Sequence, residues 1–312
     1  MDRNDLSRMK AAIDIGSNTV LLLVAKMESD RIVSVHEEQR IPRLARGVDT
    51  SGSLDPERIH AAISDITHFQ QVLHDQYPEV DQVIVTATSA VRDASNGDVF
   101  VRNIHEQTGW EVRILTGPEE AEWTFSGALS TVEYPSGIDH SFVVIDIGGG
   151  STEIAIGTQN RLHQYHSFDM GCVRFTERYL LNNPPTKEQI ETCQLEIKKT
   201  LSQTSFQVTH PQAVGVAGTL TSLGALKNNL TTYLASSVEG VVITRAELTE
   251  MIRTYSTYTH QEILERSPAI LKGRNDLIFS GMLILDGIME NLNLGEVRIS
   301  TGGIRHGALL MS

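Results

Sequence analysis

The chain has 312 residues, enough for two domains of ordinary size, and its 40% hydrophobic and 21% charged content excludes a disordered chain. A net charge of −13 with only 5% aromatic residues excludes a general nucleic-acid binder, which would be basic and rich in stacking rings. The polar start MDRNDLSRMK lacks the apolar core of a leader, and apolar runs such as Val20 to Ala25 are too short to span a bilayer. Cys172 and Cys193 stand in no metal spacing, so a cytoplasmic protein with no membrane partner is expected.

In chain order, Ala11 to Ile15 and Val20 to Met27 read as strands around the turn Gly16-Ser17-Asn18, and Arg31 to Arg40 alternates as a third. A loop to Gly47 carries Arg43 and Arg46. Asp55-Pro56 opens a helix, with Asp as N-cap, and Ile59, Ile63, Ile66, Phe69 and Leu73 form its apolar stripe. Val83 to Ala87 reads as a strand, followed by a loop holding Arg92. Val99 to Gln107 reads as a helix, Glu111 to Leu115 as a strand, and Pro118 opens a further helix. The segment Ser130 to Ser141, with Pro135 and Gly137, marks a boundary, which sets domains at residues 1–130 and 131–312.

The pattern then restarts. Phe142 to Ile147, Thr152 to Ile156 and Leu162 to Phe168 read as strands, and capping boxes at Thr186 and Thr244 open helices. Val214 to Val216 and Val297 to Ser300 are short buried-type strands. Each ends in small residues, Ala217-Gly218-Thr219 and Thr301-Gly302-Gly303, and leads into a helix. The fold class is α/β with mixed sheets in both halves.

The most specific signal is a repeat. IDIGSNTVLLLVA begins at Ile13 and IDIGGGSTEIAIG at Ile145, an offset of 145 − 13 = 132. Each copy is an apolar strand ending in an acid, a turn of small residues, and a second apolar strand. Such turns present backbone N–H groups to an anion, although one alone also describes a plain hairpin. Recurrence of the acid, as Asp14 and Asp146, adds a function that turn formation does not need. Carboxylates beside a phosphate turn suit a hard cation such as Mg2+, although these two aspartates can equally cap their turns. Glu153 is sharper, because a carboxylate in an apolar strand is costly to bury unpaired, unless the strand lies at an edge facing water.

Gly117-Pro118-Glu119-Glu120-Ala121-Glu122 starts a helix just after a strand. Acids there favour the helix dipole, and one of them could also orient and deprotonate a water. Arg43, Arg46, Arg92, Arg174, Arg274 and Arg305 fall in expected loops, where a guanidinium pairs readily with phosphate. His163 and His166, three apart in a strand, face opposite ways and read as ordinary residues.

Together these residues resemble the exopolyphosphatase and guanosine pentaphosphate phosphatase (Ppx/GppA) family of the actin, sugar-kinase and heat-shock-ATPase superfamily. The resemblance runs from AAIDIGSNTVLLLVAK through RIPRLARGV, TATSAVRDA, ILTGPEEAEWTFSGAL, VVIDIGGGSTEIAIG and DMGCVRFTERY to VAGTLTSLGAL and STGGIRHGALL. It implies two ribonuclease-H-like (actin-like) domains with a cleft between them. It also implies Mg2+-dependent release of terminal phosphate from inorganic polyphosphate, or from guanosine pentaphosphate. The alternative is a regulator that binds guanosine tetraphosphate or polyphosphate without hydrolysis. By resemblance, Glu120 is the general base. Asp14, Asp146 and Glu153 are the acids at the metal, and Ser17, Asn18, Arg92, Gly148, Gly149, Gly150 and Ser151 bind phosphate. Two departures stand out, Arg46 and His306, each where the family often has an acid; the first would make the phosphate site's rim more basic. Longer relatives add a helical region linked to processive digestion, which this chain lacks, so long-chain processivity is not expected. A homodimer is compatible with the reading.

Overall fold

The computed structural model describes residues 8–28, 31–133, 141–159, 161–209 and 211–311, so the first seven residues and the middle of the expected boundary, 134–140, lie outside the described residues. The chain forms two units. One comprises Met1–Ser130 with Ile304–Ser312, and the other Thr131–Gly303. Residues 304–311 belong with the first unit although they directly follow the second in sequence.

The first unit runs β1 (Arg8–Ile15), β2 (Val20–Glu28), β3 (Arg31–Arg40), α1 (Val48–Ser51), α2 (Pro56–Gln76), β4 (Val80–Ala87), α3 (Ser89–Asp93), α4 (Gly97–Thr108), β5 (Val112–Ile114) and α5 (Gly117–Thr131). Its sheet has the order β3-β2-β1-β4-β5, antiparallel over the first three strands and parallel from β1 to β5. Asp55 caps α2 as expected, its side chain accepting from the N–H groups of Glu57 and Arg58. The α2 stripe of Ile63, Ile66, Phe69 and Leu73 packs with Ile13, Ile15, Val20, Leu22 and Val24 on one sheet face. Ala12, Leu23 and Ala25 face the other side, where Trp123 and Ile304, Ala308 and Leu309 cover them. The alternation of a strand buried on both faces thus sends successive side chains of β1 and β2 into two different cores.

The second unit runs β6 (Phe142–Ile147), β7 (Thr152–Thr158), β8 (Arg161–Phe168), α6 (Cys172–Tyr179), α7 (Lys187–Leu201), β9 (Gln212–Val216), α8 (Ala217–Lys227), α9 (Ala235–Val238), β10 (Val242–Thr244), α10 (Arg245–Tyr255), α11 (His260–Arg266), α12 (Pro268–Leu271), α13 (Ile278–Asn291) and β11 (Glu296–Ile299). Its strand order, β10-β11-β9-β6-β7-β8, repeats that of the first unit and adds one antiparallel edge strand. Capping boxes form at Thr186 and Thr244, as expected, and also at Thr259. Helix α13 is buried on nearly every side, which erases the amphipathic period that marks α2.

The last helix, α14 (Ile304–Leu310), follows β11 but packs on β1 and β2 of the first unit. A Cβ on Gly307 would meet the Trp123 carbonyl oxygen at 2.1 Å, so glycine sets the close approach of α14 to α5. Among the described residues, no helix is long and apolar enough to cross a membrane.

Candidate active site

In the first unit, three neighbouring parallel strands end side by side, and each end delivers a functional group. β1 ends at Asp14-Ile15. β4 leads into Thr88, whose N–H donates to the Ile15 carbonyl at 3.3 Å. β5 leads into Leu115, whose N–H donates to the Ala87 carbonyl at 2.9 Å. The carboxyl ends of parallel strands are where ligands bind in open α/β sheets.

Asp14 sits half-buried at the first of these ends, accepting from Thr86 Oγ1 at 3.4 Å. Burial, with the Glu120 charge nearby, pushes its carboxyl up to about 7, against the opposing pull of the Arg305 guanidinium and the Thr86 hydroxyl. Glu120 lies in the first turn of α5, only 4% exposed. Arg92 Nη1 donates to Glu120 Oε2 at 3.0 Å and to the Leu115 carbonyl at 2.9 Å, while Arg92 Nε lies 3.4 Å from Asp93. Burial raises the Glu120 carboxyl above its ordinary value although Arg92 opposes this. Burial and the opposing Glu120 charge together favour the protonated form of Asp14.

The three acids of the Glu119-Glu120-Ala121-Glu122 run separate into distinct roles. Glu119 Oε2 accepts from the N–H and hydroxyl of Thr116, and its carboxyl is held down to about 2 by those bonds and by Arg113. It caps the helix. Glu122 is exposed, and Glu120 alone turns inward.

The first glycine turn is closed by Gly16 N–H on the Thr19 carbonyl at 2.9 Å. The carbonyls of Ser17 and Asn18 accept from the N–H groups of Ala45 and Arg43. In a planar trans peptide the N–H opposes the C=O, so the N–H groups of Asn18 and Thr19 point away from that loop. Ser17 is buried with its Oγ 3.5 Å from Ser89 Oγ. Asn18 Oδ1 is buried with no hydrogen-bond partner among the described residues, a cost that a ligand at the turn would remove.

The second turn repeats the first at the same offset, with Gly148 N–H donating to the Ser151 carbonyl at 3.0 Å. Its carbonyls face helix α6: Gly148 accepts from Cys172 N–H, Gly149 from Val173 and Arg174 N–H, and Gly150 from Arg174 Nε. The helix's first N–H groups, which have no partner within it, are thereby satisfied. The same peptide geometry turns the N–H groups of Gly149, Gly150 and Ser151 the opposite way, a concavity suited to phosphate oxygens.

The repeats differ in what faces the aspartate. Asp14 is registered against Leu21 and Thr86, but Asp146 is registered directly against Glu153. Strand β7 lies between β6 and β8, so Glu153 is not on an edge; it is 3% exposed and accepts from Ser167 Oγ at 2.6 Å. Like charges directly opposite across strands repel, and a cation relieves this. A divalent ion that takes one or two carboxylates and fills its shell with water and phosphate oxygens fits this pair. Among the described residues no three His, Cys, Asp or Glu side chains gather as a metal cluster. Asp14 belongs to the first unit.

Three arginines expected in loops lie in helices: Arg92 in α3, Arg174 in α6 and Arg305 in α14. Short helices directly after a strand end offer too few residues to show a period. Arg305, only 11% exposed, donates through Nη1 to the Leu22 carbonyl at 2.9 Å and pairs with Glu37 at 3.3 Å, beside Asp14. No sequence signal ties residue 305 to residue 14. Of the two family departures, Arg46 is exposed on its turn. His306 is 4% exposed, and burial with the Arg305 charge pushes it down to about 3, so it is neutral.

The Asp14 shift carries a prediction. Its folded-state value of about 7 lies above the ordinary 3.8, so the stability contributed by the protonated form is complete below pH 3.8 and lost as pH rises through about 7. Asp14→Asn cannot ionise. In metal-free buffer its melting temperature should match wild type at the acid end, rise above it through that window, and stay above it at higher pH. Parallel melting curves across the pH range would refute the assigned burial.

The profile of the Ppx/GppA phosphatase family matches residues 23–312. Exopolyphosphatase 2 of Mycobacterium tuberculosis is 34% identical over 294 residues, covering 90% of this chain and 90% of that protein. A guanosine-5'-triphosphate,3'-diphosphate pyrophosphatase of Aliivibrio fischeri is 30% identical over 98% of this chain, which spans 60% of that protein's length. Among solved structures, a family member from Aquifex aeolicus is 27% identical with a TM-score of 0.81, covering 97% of this chain and 96% of that one. An exopolyphosphatase-like protein reaches a TM-score of 0.90 at 26% identity, covering 98% and 97%. With its repeated acid-and-glycine turns and matching profile, the chain belongs to the Ppx/GppA phosphatase family.

Proposed function

We propose that this protein hydrolyses the terminal phosphoanhydride of inorganic polyphosphate, releasing orthophosphate. The observation that carries the reading is Glu120, a buried carboxylate of raised proton affinity at a strand end, turned inward while its neighbour Glu119 caps the helix. A base whose affinity is tuned toward neutrality suits proton abstraction from water. In the reaction, a water oxygen bonds to the terminal phosphorus and Glu120 takes the water's proton. The bond from phosphorus to the bridging oxygen breaks, and the shortened chain leaves with that electron pair. In the first unit Arg92 binds the terminal group and the N–H groups of the Ser17-Asn18 turn bind oxygens that are not transferred; the N–H groups of Gly149, Gly150 and Ser151 form the second unit's own phosphate cradle. Mg2+ would be held by Asp146 and Glu153 and would supply charge neutralisation on the phosphate oxygens. Phosphoryl transfer depends mainly on positioning and on such electrostatics.

Similarity to the mycobacterial exopolyphosphatase over 90% of both chains favours polyphosphate. Guanosine pentaphosphate is the second reading, supported by the Aliivibrio relative. A binder without hydrolysis would have no use for a buried Glu120. The test is phosphate release from short polyphosphate, long polyphosphate and guanosine pentaphosphate, with Mg2+ and with chelator. Release from the short polymer that stops with chelator is expected. Silence on all three substrates would refute the proposal.

A further inference from the structure

Arg92 is asked to serve two anions. In the structure one nitrogen, Nη1, is committed to Glu120 Oε2 and to the Leu115 carbonyl, and Nε lies toward Asp93. Glu120 is nearly sealed from solvent, whereas the Arg92 side chain is 28% exposed. The guanidinium therefore spans from a buried carboxylate to the surface at which a polyanion arrives. A carboxylate gripped by arginine has a reduced proton affinity and one lone-pair direction occupied, both of which weaken it as a base.

We propose that Arg92 is handed over. In the free protein it holds Glu120, and when a terminal phosphate binds, the guanidinium moves to that phosphate and releases the carboxylate to take the proton from water. This rests on the reading of Glu120 as base and adds that substrate binding itself unlocks it. The terminal phosphate is doubly charged and solvent-facing, and it competes with a singly charged carboxylate for the same planar fork. Part of the binding energy is thereby used to break the ion pair, so ground-state affinity falls while the base becomes competent only when substrate is present. A protein with an unlatched base would lack that gating.

A double-mutant cycle on binding separates this from a static bridge. The probe is a tripolyphosphate analogue with imido bridges, titrated by calorimetry into wild type, Glu120→Gln, Arg92→Gln and the double variant. Handing over predicts that Glu120→Gln tightens binding about tenfold when Arg92 is present, because the guanidinium no longer has to leave a carboxylate. In the Arg92→Gln background the same change should gain less than about threefold, the residue of simple charge repulsion. A gain of equal size in both backgrounds would mean that Arg92 stays on Glu120 throughout, and the proposal would fall while the hydrolytic reading stood. If wild type neither binds the analogue nor releases phosphate from polyphosphate, the hydrolytic reading falls and takes this one with it. Circular dichroism checks that each variant is folded, and Arg92→Met, which keeps the aliphatic stem, replaces Arg92→Gln in the cycle if that variant is not.

Discussion

Glu120→Gln should lower turnover of polyphosphate by about 100-fold or more while the protein remains folded, because general bases contribute about 10²–10⁴-fold. The substitution keeps the side chain's shape and removes only its capacity to accept a proton. Stability should hold or rise slightly. Glu120 is buried with a raised proton affinity, so the fold tolerates a neutral group there, and Arg92 is exposed enough to be rehydrated. The neighbouring substitution Glu119→Ala is the internal control. Glu119 supports the helix start through Thr116 and is held near 2, so its loss should cost about 1 kcal/mol of stability and little of kcat. The pattern to measure is therefore a crossover: kcat falls at position 120, melting temperature falls at position 119. If kcat fell equally in both, the effect would belong to the helix rather than to the base. If Glu120→Gln retained near-normal turnover, water would be activated elsewhere and the central role of Glu120 would be wrong.

Much of this site is legible in the sequence because its parts are local. An apolar strand, an acid and a turn of small residues occupy consecutive positions, and the offset of 132 shows the duplication without any structural information. Caps at Asp55, Thr186 and Thr244 are also local, each bonding within three residues. Contacts that close long loops are not legible. Arg305 reaches the Leu22 carbonyl across 283 residues, and nothing in either segment's composition announces it. The placement of helix α14 is not legible for the same reason: its sequence follows β11 directly, while its packing partners are β1, β2 and Trp123. The divergence of the two turns was half visible. Asp14 and Asp146 align in sequence, yet only strand register shows that Asp146 faces a second carboxylate and Asp14 a hydroxyl. Register also converts Glu153 from an apparent anomaly in an apolar strand into half of a cation-suited pair.

The glycine outside the turn is as consequential as those within it. Gly171→Ala should destabilise the protein by about 3 kcal/mol and lower kcat/KM for polyphosphate by more than tenfold. Gly171 has ordinary extended dihedrals, so the constraint is space and not backbone conformation. An added Cβ would lie 2.3 Å from the Gly149 carbonyl oxygen, 2.4 Å from Gly149 C and 2.6 Å from Gly150 C. All three are backbone atoms, which cannot rotate away as a side chain would. Relief requires the turn and the start of α6 to separate. That movement breaks the bonds from Cys172, Val173 and Arg174 to the carbonyls of Gly148 and Gly149, which are the same bonds that aim the N–H groups of Gly149, Gly150 and Ser151 outward. Stability and phosphate binding are therefore coupled at this position. Gly295→Ala serves as comparison, since nothing lies within 4 Å of its added Cβ, and its effect should stay within about 0.5 kcal/mol. Chemical denaturation gives the first quantity and steady-state kinetics the second. Destabilisation with unchanged kcat/KM would show that the turn's N–H groups do not touch substrate, and the second phosphate cradle would have to be given up even if Glu120 kept its role.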